Sequence, residues 1–131
     1  MIVLDTHVWV WWVSNPKLLS PKARRAISAA VGRSQVHISS ISVWELALLS
    51  MRGRLKLKMD VGDWIAQSEA LPFLHFVTID NHIALKSTQL DEPLHYDPAD
   101  RIIIATALSL GAALVTKDQK IRDYPHVTTI W

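Results

Sequence analysis

The sequence predicts an α/β domain: a three-layer sandwich in which a short parallel sheet of four to five strands is covered by helices on both faces. Two observations predict it. Short apolar segments of strand length alternate with longer helical stretches along the whole chain. Proline, glycine and capping residues fall between them, and no internal repeat or low-complexity linker interrupts the alternation.

Taken in order, Met1–Leu4 reads as a buried strand, and Val8–Val13 as a helix ended by Asn15-Pro16. Ser20-Pro21 is an N-cap followed by proline at the first helical position, opening a helix to about Val31 that Gly32 stops. Val36–Ser39 is a second strand. Ser42 to about Met51 is helical, with Gly53 beyond its end, and Val61–Ala70 is a further helix closed near Pro72. Phe76–Ile79 is a third strand, after which Asp80 caps a helix over roughly Asn81–Gln89. Pro98–Leu110 is a helix ended by Gly111. Its run Ile102-Ile103-Ile104-Ala105 implies burial on most sides. Ala113–Thr116 is a fourth strand and Val127–Ile130 a candidate fifth.

The 131 residues suit a single domain over 1–131, and half of them are hydrophobic, enough for one substantial core. The absence of cysteine excludes disulfides, thiol catalysis and thiolate metal sites. The apolar opening is not read as a signal peptide, because it lacks a basic start and is cut by Asp5 and His7. No apolar stretch reaches the ~18 residues of a membrane span, so a cytoplasmic protein is expected. A net charge of +2 points only weakly to an anionic partner. Two basic clusters, Lys22/Arg24/Arg25 and Arg52/Arg54/Lys56/Lys58, read first as solvated surface and second as contacts to a phosphate backbone.

Four of the twelve acidic residues occupy equivalent places. Asp5 and Asp118 follow the first and fourth strands. Glu45 and Asp100 are expected in the first turns of the helices that begin at Ser42 and Pro98. In an open parallel sheet those places share one edge, outside the carboxyl ends of the strands, where ligands bind. Carboxylates brought together there raise one another's pKa. A hard divalent cation relieves them: magnesium, or manganese in its place, takes oxygen ligands and works beside phosphates.

Each acid also has a structural reading. Ser42-Val43-Trp44-Glu45 fits a capping box, Asp97 fits an N-cap with Asp100 in the first turn, and Asp118 fits the cap of a short turn. Asp5, closing an apolar strand, is the hardest to place without a partner. Thr6 and Thr116 adjoin acids and could hydrogen-bond a carboxylate or a metal-bound water. His7 and His95 could orient acids, though packing is the simpler reading. His37, His75, His82 and His126 show no ligand spacing. The six tryptophans read mainly as core, with Trp11 and Trp64 as candidate base-stacking residues.

Four segments, Ile2-Val3-Leu4-Asp5-Thr6-His7, Ser42-Val43-Trp44-Glu45-Leu46, His95-Tyr96-Asp97-Pro98-Ala99-Asp100-Arg101 and Leu114-Val115-Thr116-Lys117-Asp118, together resemble the PIN-domain family. In particular they resemble the toxins of VapBC-type toxin–antitoxin pairs. The segments stand in the family's order and span nearly the whole chain. The resemblance implies a magnesium-dependent endoribonuclease that cuts RNA with metal-activated water, the acidic quartet being Asp5, Glu45, Asp100 and Asp118. It also implies a cognate antitoxin that blocks the site, and usually a homodimer. Asp97 is assigned to capping and support, alongside Thr6 and Thr116. Arg52, Arg54, Lys56 and Arg101 are candidates for guiding the RNA backbone. Two other readings stay open: a haloacid-dehalogenase-like phosphatase, although His7 stands where that fold wants a second aspartate, and a non-catalytic nucleic-acid or partner-binding module.

Overall fold

A computed structural model describes residues 1–131. Five strands form one all-parallel sheet: β1 (Ile2–Leu4), β2 (Val36–Ser39), β3 (Leu74–Val77), β4 (Ala113–Val115) and β5 (Thr129–Ile130). Their order is β3-β2-β1-β4-β5. From β1 the chain moves outward to β2 and β3, and from β4 it moves the other way to β5. The gap between β1 and β4 is therefore the switch point of the sheet, where a crevice opens beyond the strand ends.

Seven helices flank the sheet: α1 (Thr6–Ser14), α2 (Pro21–Gly32), α3 (Ser40–Met51), α4 (Val61–Glu69), α5 (Asn81–Thr88), α6 (Pro98–Leu110) and α7 (Gln119–Arg122). The central strands β1, β2 and β4 bury both faces, as a covered parallel sheet requires, and the edge strands β3 and β5 are more open. Ile2 and Leu4 join a core with Val8 and Trp9 of α1, Ile27 of α2 and Trp64 of α4. Val3 and Leu114 face the opposite way, into a core with Ile103, Ile104 and Ala107 of α6 and Ile121 of α7. The expected three layers are present. No helix is long and apolar enough to cross a membrane.

Local chemistry sets most boundaries. Ser20 caps α2 through the Ala23 amide, and Asp80 caps α5 through the Ile83 amide. Gly111 ends α6 at φ +64°, a conformation glycine adopts without steric cost. Four expectations shift. Asp5 starts α1 at Thr6, two residues before the apolar run. Gly32 is the last residue of α2, and the left-handed turn after it falls on Ser34 at φ 56°. β3 lies at Leu74–Val77, not Phe76–Ile79, because pairing with β2 (Val36 opposite Leu74) fixes its register. α3 begins at Ser40 with Ser39 as its cap, so Glu45 stands in the second turn and the Ser42 capping box does not form.

Candidate active site

Asp5 leaves the carboxyl end of β1 and is only 4% exposed. Its Oδ1 accepts from the Thr6 amide at 2.8 Å, which caps α1, and its Oδ2 accepts from the Thr116 hydroxyl at 2.6 Å. The Thr116 oxygen in turn accepts from the Asp118 amide at 3.0 Å. One hydroxyl thus ties together the two acids that follow β1 and β4, across the switch point. Asp118 Oδ1 caps α7 through the Lys120 amide. His7 Nδ1 lies 3.5 Å from Asp5 Oδ2, and its Nε2 accepts from the Lys117 amide.

Glu45 reaches the same place from α3. The Thr6 hydroxyl lies 2.6 Å from Glu45 Oε1 and 2.8 Å from the Ser42 hydroxyl. With one proton on each hydroxyl, Ser42 donates to Thr6 and Thr6 donates to the carboxylate. Asp100 sits in the first turn of α6, which Asp97 caps, and its Oδ2 lies 2.7 Å from His95 Nε2.

All four acids, with Asp97 and Thr6, line one open cavity of about 320 Å³. Val10, Trp11, Leu49 and Leu55 supply its apolar wall. Burial pushes the Glu45 carboxyl up to about 7; the Thr6 hydrogen bond opposes the shift, while the charges of Asp5 and Asp100 add to it. Burial likewise lifts Asp100 to about 6, opposed by the His95 hydrogen bond and reinforced by Asp5 and Asp97. Five carboxylates on the cavity face only Arg54 and His7, so its donors are chiefly oxygen and its charge is negative, which suits a hard cation. As placed, the carboxylates are engaged by hydroxyls, amides and His95, and no three His, Asp or Glu side chains share one coordination point.

The basic candidates separate. Arg54 lines the acidic cavity. Arg52 lines an adjoining groove with Trp44, Leu48 and Pro98. Lys56 lines neither. Arg101 does not line the acidic cavity; its guanidinium donates to the Ser87 and His95 carbonyls and lies 5.5 Å from the Tyr96 ring centre. Trp64 is buried and cannot meet a base, whereas Trp11 borders the cavity. The sequence reading did not find Ser42's bond to Thr6 or the apolar wall from Leu49 and Leu55. Neither has a local signal, since each depends on how α3 crosses α1.

An acid-lined cavity at the switch point of an all-parallel, helix-covered sheet defines the class, and sequence comparison agrees with it. The PIN domain family matches residues 2–127, and the chain belongs to that family. Within it the similarity runs to the VapC proteins. The chain is 36% identical over 132 residues to Ribonuclease VapC22 of Mycobacterium tuberculosis, covering 99% of this chain and 98% of that one. The fold is similar to that in VapBC2 from Rickettsia felis bound to a DNA fragment from their promoter, with TM-score 0.71, 18% identity, and 98% and 97% of the two chains covered. It is also similar to that in FitAcB from Neisseria gonorrhoeae, with TM-score 0.64, 24% identity, and 98% and 96% covered.

Proposed function

We propose that this protein is a divalent-cation-dependent endoribonuclease, using magnesium or manganese, that acts as the toxin of a toxin–antitoxin pair. The observation that carries the reading is the convergence of Asp5, Glu45, Asp100 and Asp118, from four distant segments, on one cavity. The 36% identity to a VapC ribonuclease supports RNA as substrate. The likeness to chains solved in toxin–antitoxin complexes supports an antitoxin partner.

Asp5, Asp100 and Asp118 would hold the cation, with Glu45 beside them. The cation, when bound, lowers the pKa of a water and neutralises charge growing on the phosphate. Thr116 keeps the Asp5 carboxylate aimed into the cavity, and His95 does the same for Asp100. Glu45, held by the Thr6 hydroxyl on the same cavity, is placed to orient the attacking water and take its proton. Arg54, on the cavity wall, pairs with the phosphate backbone of the strand.

Asp5→Asn and Asp100→Asn test the assignment. Asparagine at position 5 keeps an oxygen for the Thr6 amide but puts an amide N–H where Thr116 now donates, so a matched melting temperature is measured beside activity. Both variants are expected to lose magnesium-dependent RNA cleavage by more than about a hundredfold. Wild-type activity in either would overturn the reading.

A further inference from the structure

Helix α1 carries three tryptophans, and they are used differently. Trp9 is fully buried against Trp64 and Phe76, and its indole N–H donates to Ser68. Trp12 packs on Phe73. Trp11 is half-buried on the wall of the acidic cavity, and its surroundings are mostly polar. His7, one helical turn back, lies edge-on with its ring centre 4.9 Å away, and Trp131 lies tilted at 5.9 Å. The exposed Lys117 holds its Nζ 5.7 Å from the centre of the Trp11 ring.

We infer that Trp11 is a stacking platform for an unpaired nucleobase next to the phosphate that meets the acids. The inference rests on the ribonuclease reading above. Three observations carry it. The ring borders the same cavity as Asp5 and Glu45, so a base on it belongs to the strand being cut. The Nζ of the exposed Lys117 lies over the ring, 5.7 Å from its centre. An exposed cation–π contact is weaker than a base stack on an aromatic face, so a base displaces the ammonium. The freed ammonium is then placed to meet a phosphate, while the Lys117 backbone stays fixed by its amide bond to His7 Nε2. A duplex offers no unstacked base, so the platform discriminates by strand state without reading sequence.

The test compares Trp11→Leu, which keeps an apolar side chain but no flat ring, with Trp11→Phe. Each is assayed with magnesium on a short labelled single-stranded RNA spanning a mapped cut, on the same RNA in a duplex, and on copies carrying one abasic nucleotide beside the cut. Matched melting temperatures establish that both variants are folded. Trp11→Leu is expected to raise KM about 5- to 150-fold with little change in kcat, and Trp11→Phe by a smaller factor. The wild type is expected to spare the duplex. One abasic position should weaken the wild type as Trp11→Leu does and add nothing further in that variant. An unchanged KM in Trp11→Leu, or abasic and Trp11→Leu losses that multiply, overturns the platform while cleavage by the wild type leaves the ribonuclease reading standing. A wild type that cuts no RNA overturns both.

Discussion

The hydroxyl of Thr6, the first residue of α1, lies 2.6 Å from Oε1 of Glu45, six residues into α3. The bond joins two helices that leave neighbouring strands, β1 and β2, and makes the position of one acid depend on the residue beside another. It also favours the ionised form of Glu45 against the burial that raises its pKa to about 7.

Thr6→Val should therefore move the acid limb of the pH–rate profile to higher pH. Without the donated hydrogen bond, which favours the ionised carboxylate, the Glu45 pKa rises further, so less of it is ionised at a given pH. Activity falls at pH 7 and recovers in more alkaline buffer, whereas Thr6→Ser keeps the wild-type profile. The valine also leaves the fully buried Ser42 hydroxyl without its partner, at a cost of about 1 kcal/mol. A Thr6→Val profile superimposable on the wild type would show that the bond does not tune Glu45.

Protons and cation should compete for the same oxygens. Glu45 rises from 4.5 to about 7 and Asp100 from 3.8 to about 6, so the folded chain binds these protons more tightly than the unfolded chain does. Their contribution is stabilising while they are protonated and is lost as pH rises through about 4 to 7, so EDTA-treated protein loses stability across that window. A cation bound to the native state restores it, by about 2.7 kcal/mol at hundredfold saturation. The gap in melting temperature between magnesium and EDTA should widen from about pH 5.5 to about pH 8, and Glu45→Gln should narrow it. A gap that is absent, or equal at both ends, is inconsistent with a cation among these acids.

Local rules made much of this architecture readable, and long-range contacts account for what they missed. Asp97-Pro98 and Gly111 bracket α6 as expected, because an N-cap, a first-position proline and a left-handed glycine each act on their own few residues. The Ser42–Glu45 spacing imitates a capping box, but Ser39 at the end of β2 takes the cap, which frees both residues to meet Thr6. β3 slipped by two residues because an apolar run does not reveal its own register; the partner strand sets it. That these four acids would line one cavity was legible because each adjoins a strand end or an early helical turn. The hydroxyls that hold those acids came only with the packing.

Tyr124 offers a stability test away from the cavity. It is 3% exposed among the residues that pack under α6, and its hydroxyl is buried with no hydrogen-bond partner. Burying an unpaired hydroxyl costs about 1–3 kcal/mol, and phenylalanine removes it with almost no change of shape. Tyr124→Phe should raise the urea midpoint by an amount worth about 1 kcal/mol, with an unchanged slope and unchanged RNA cleavage. A lower midpoint would mean that the hydroxyl has a partner in solution.

Arg101 presents two chemistries that a pair of substitutions can separate. Sequence places it beside Asp100 as a candidate for the RNA backbone, yet its Nε and Nη1 donate to the carbonyls of Ser87 and His95 at 3.0 and 3.2 Å. It thereby clamps the segment that carries His95, and His95 holds Asp100. A clamp needs two fixed donors in a plane, which lysine cannot supply; a phosphate contact needs only positive charge. The clamp predicts that Arg101→Lys and Arg101→Ala lose kcat alike, on the order of tenfold, and need more magnesium for half-saturation, as loss of a supporting bond behind a metal ligand does. KM for RNA and its salt dependence should then stay near wild type. The opposite pattern, a lysine variant that works and an alanine variant with raised KM and a shallower salt slope, would move Arg101 from the scaffold to the substrate.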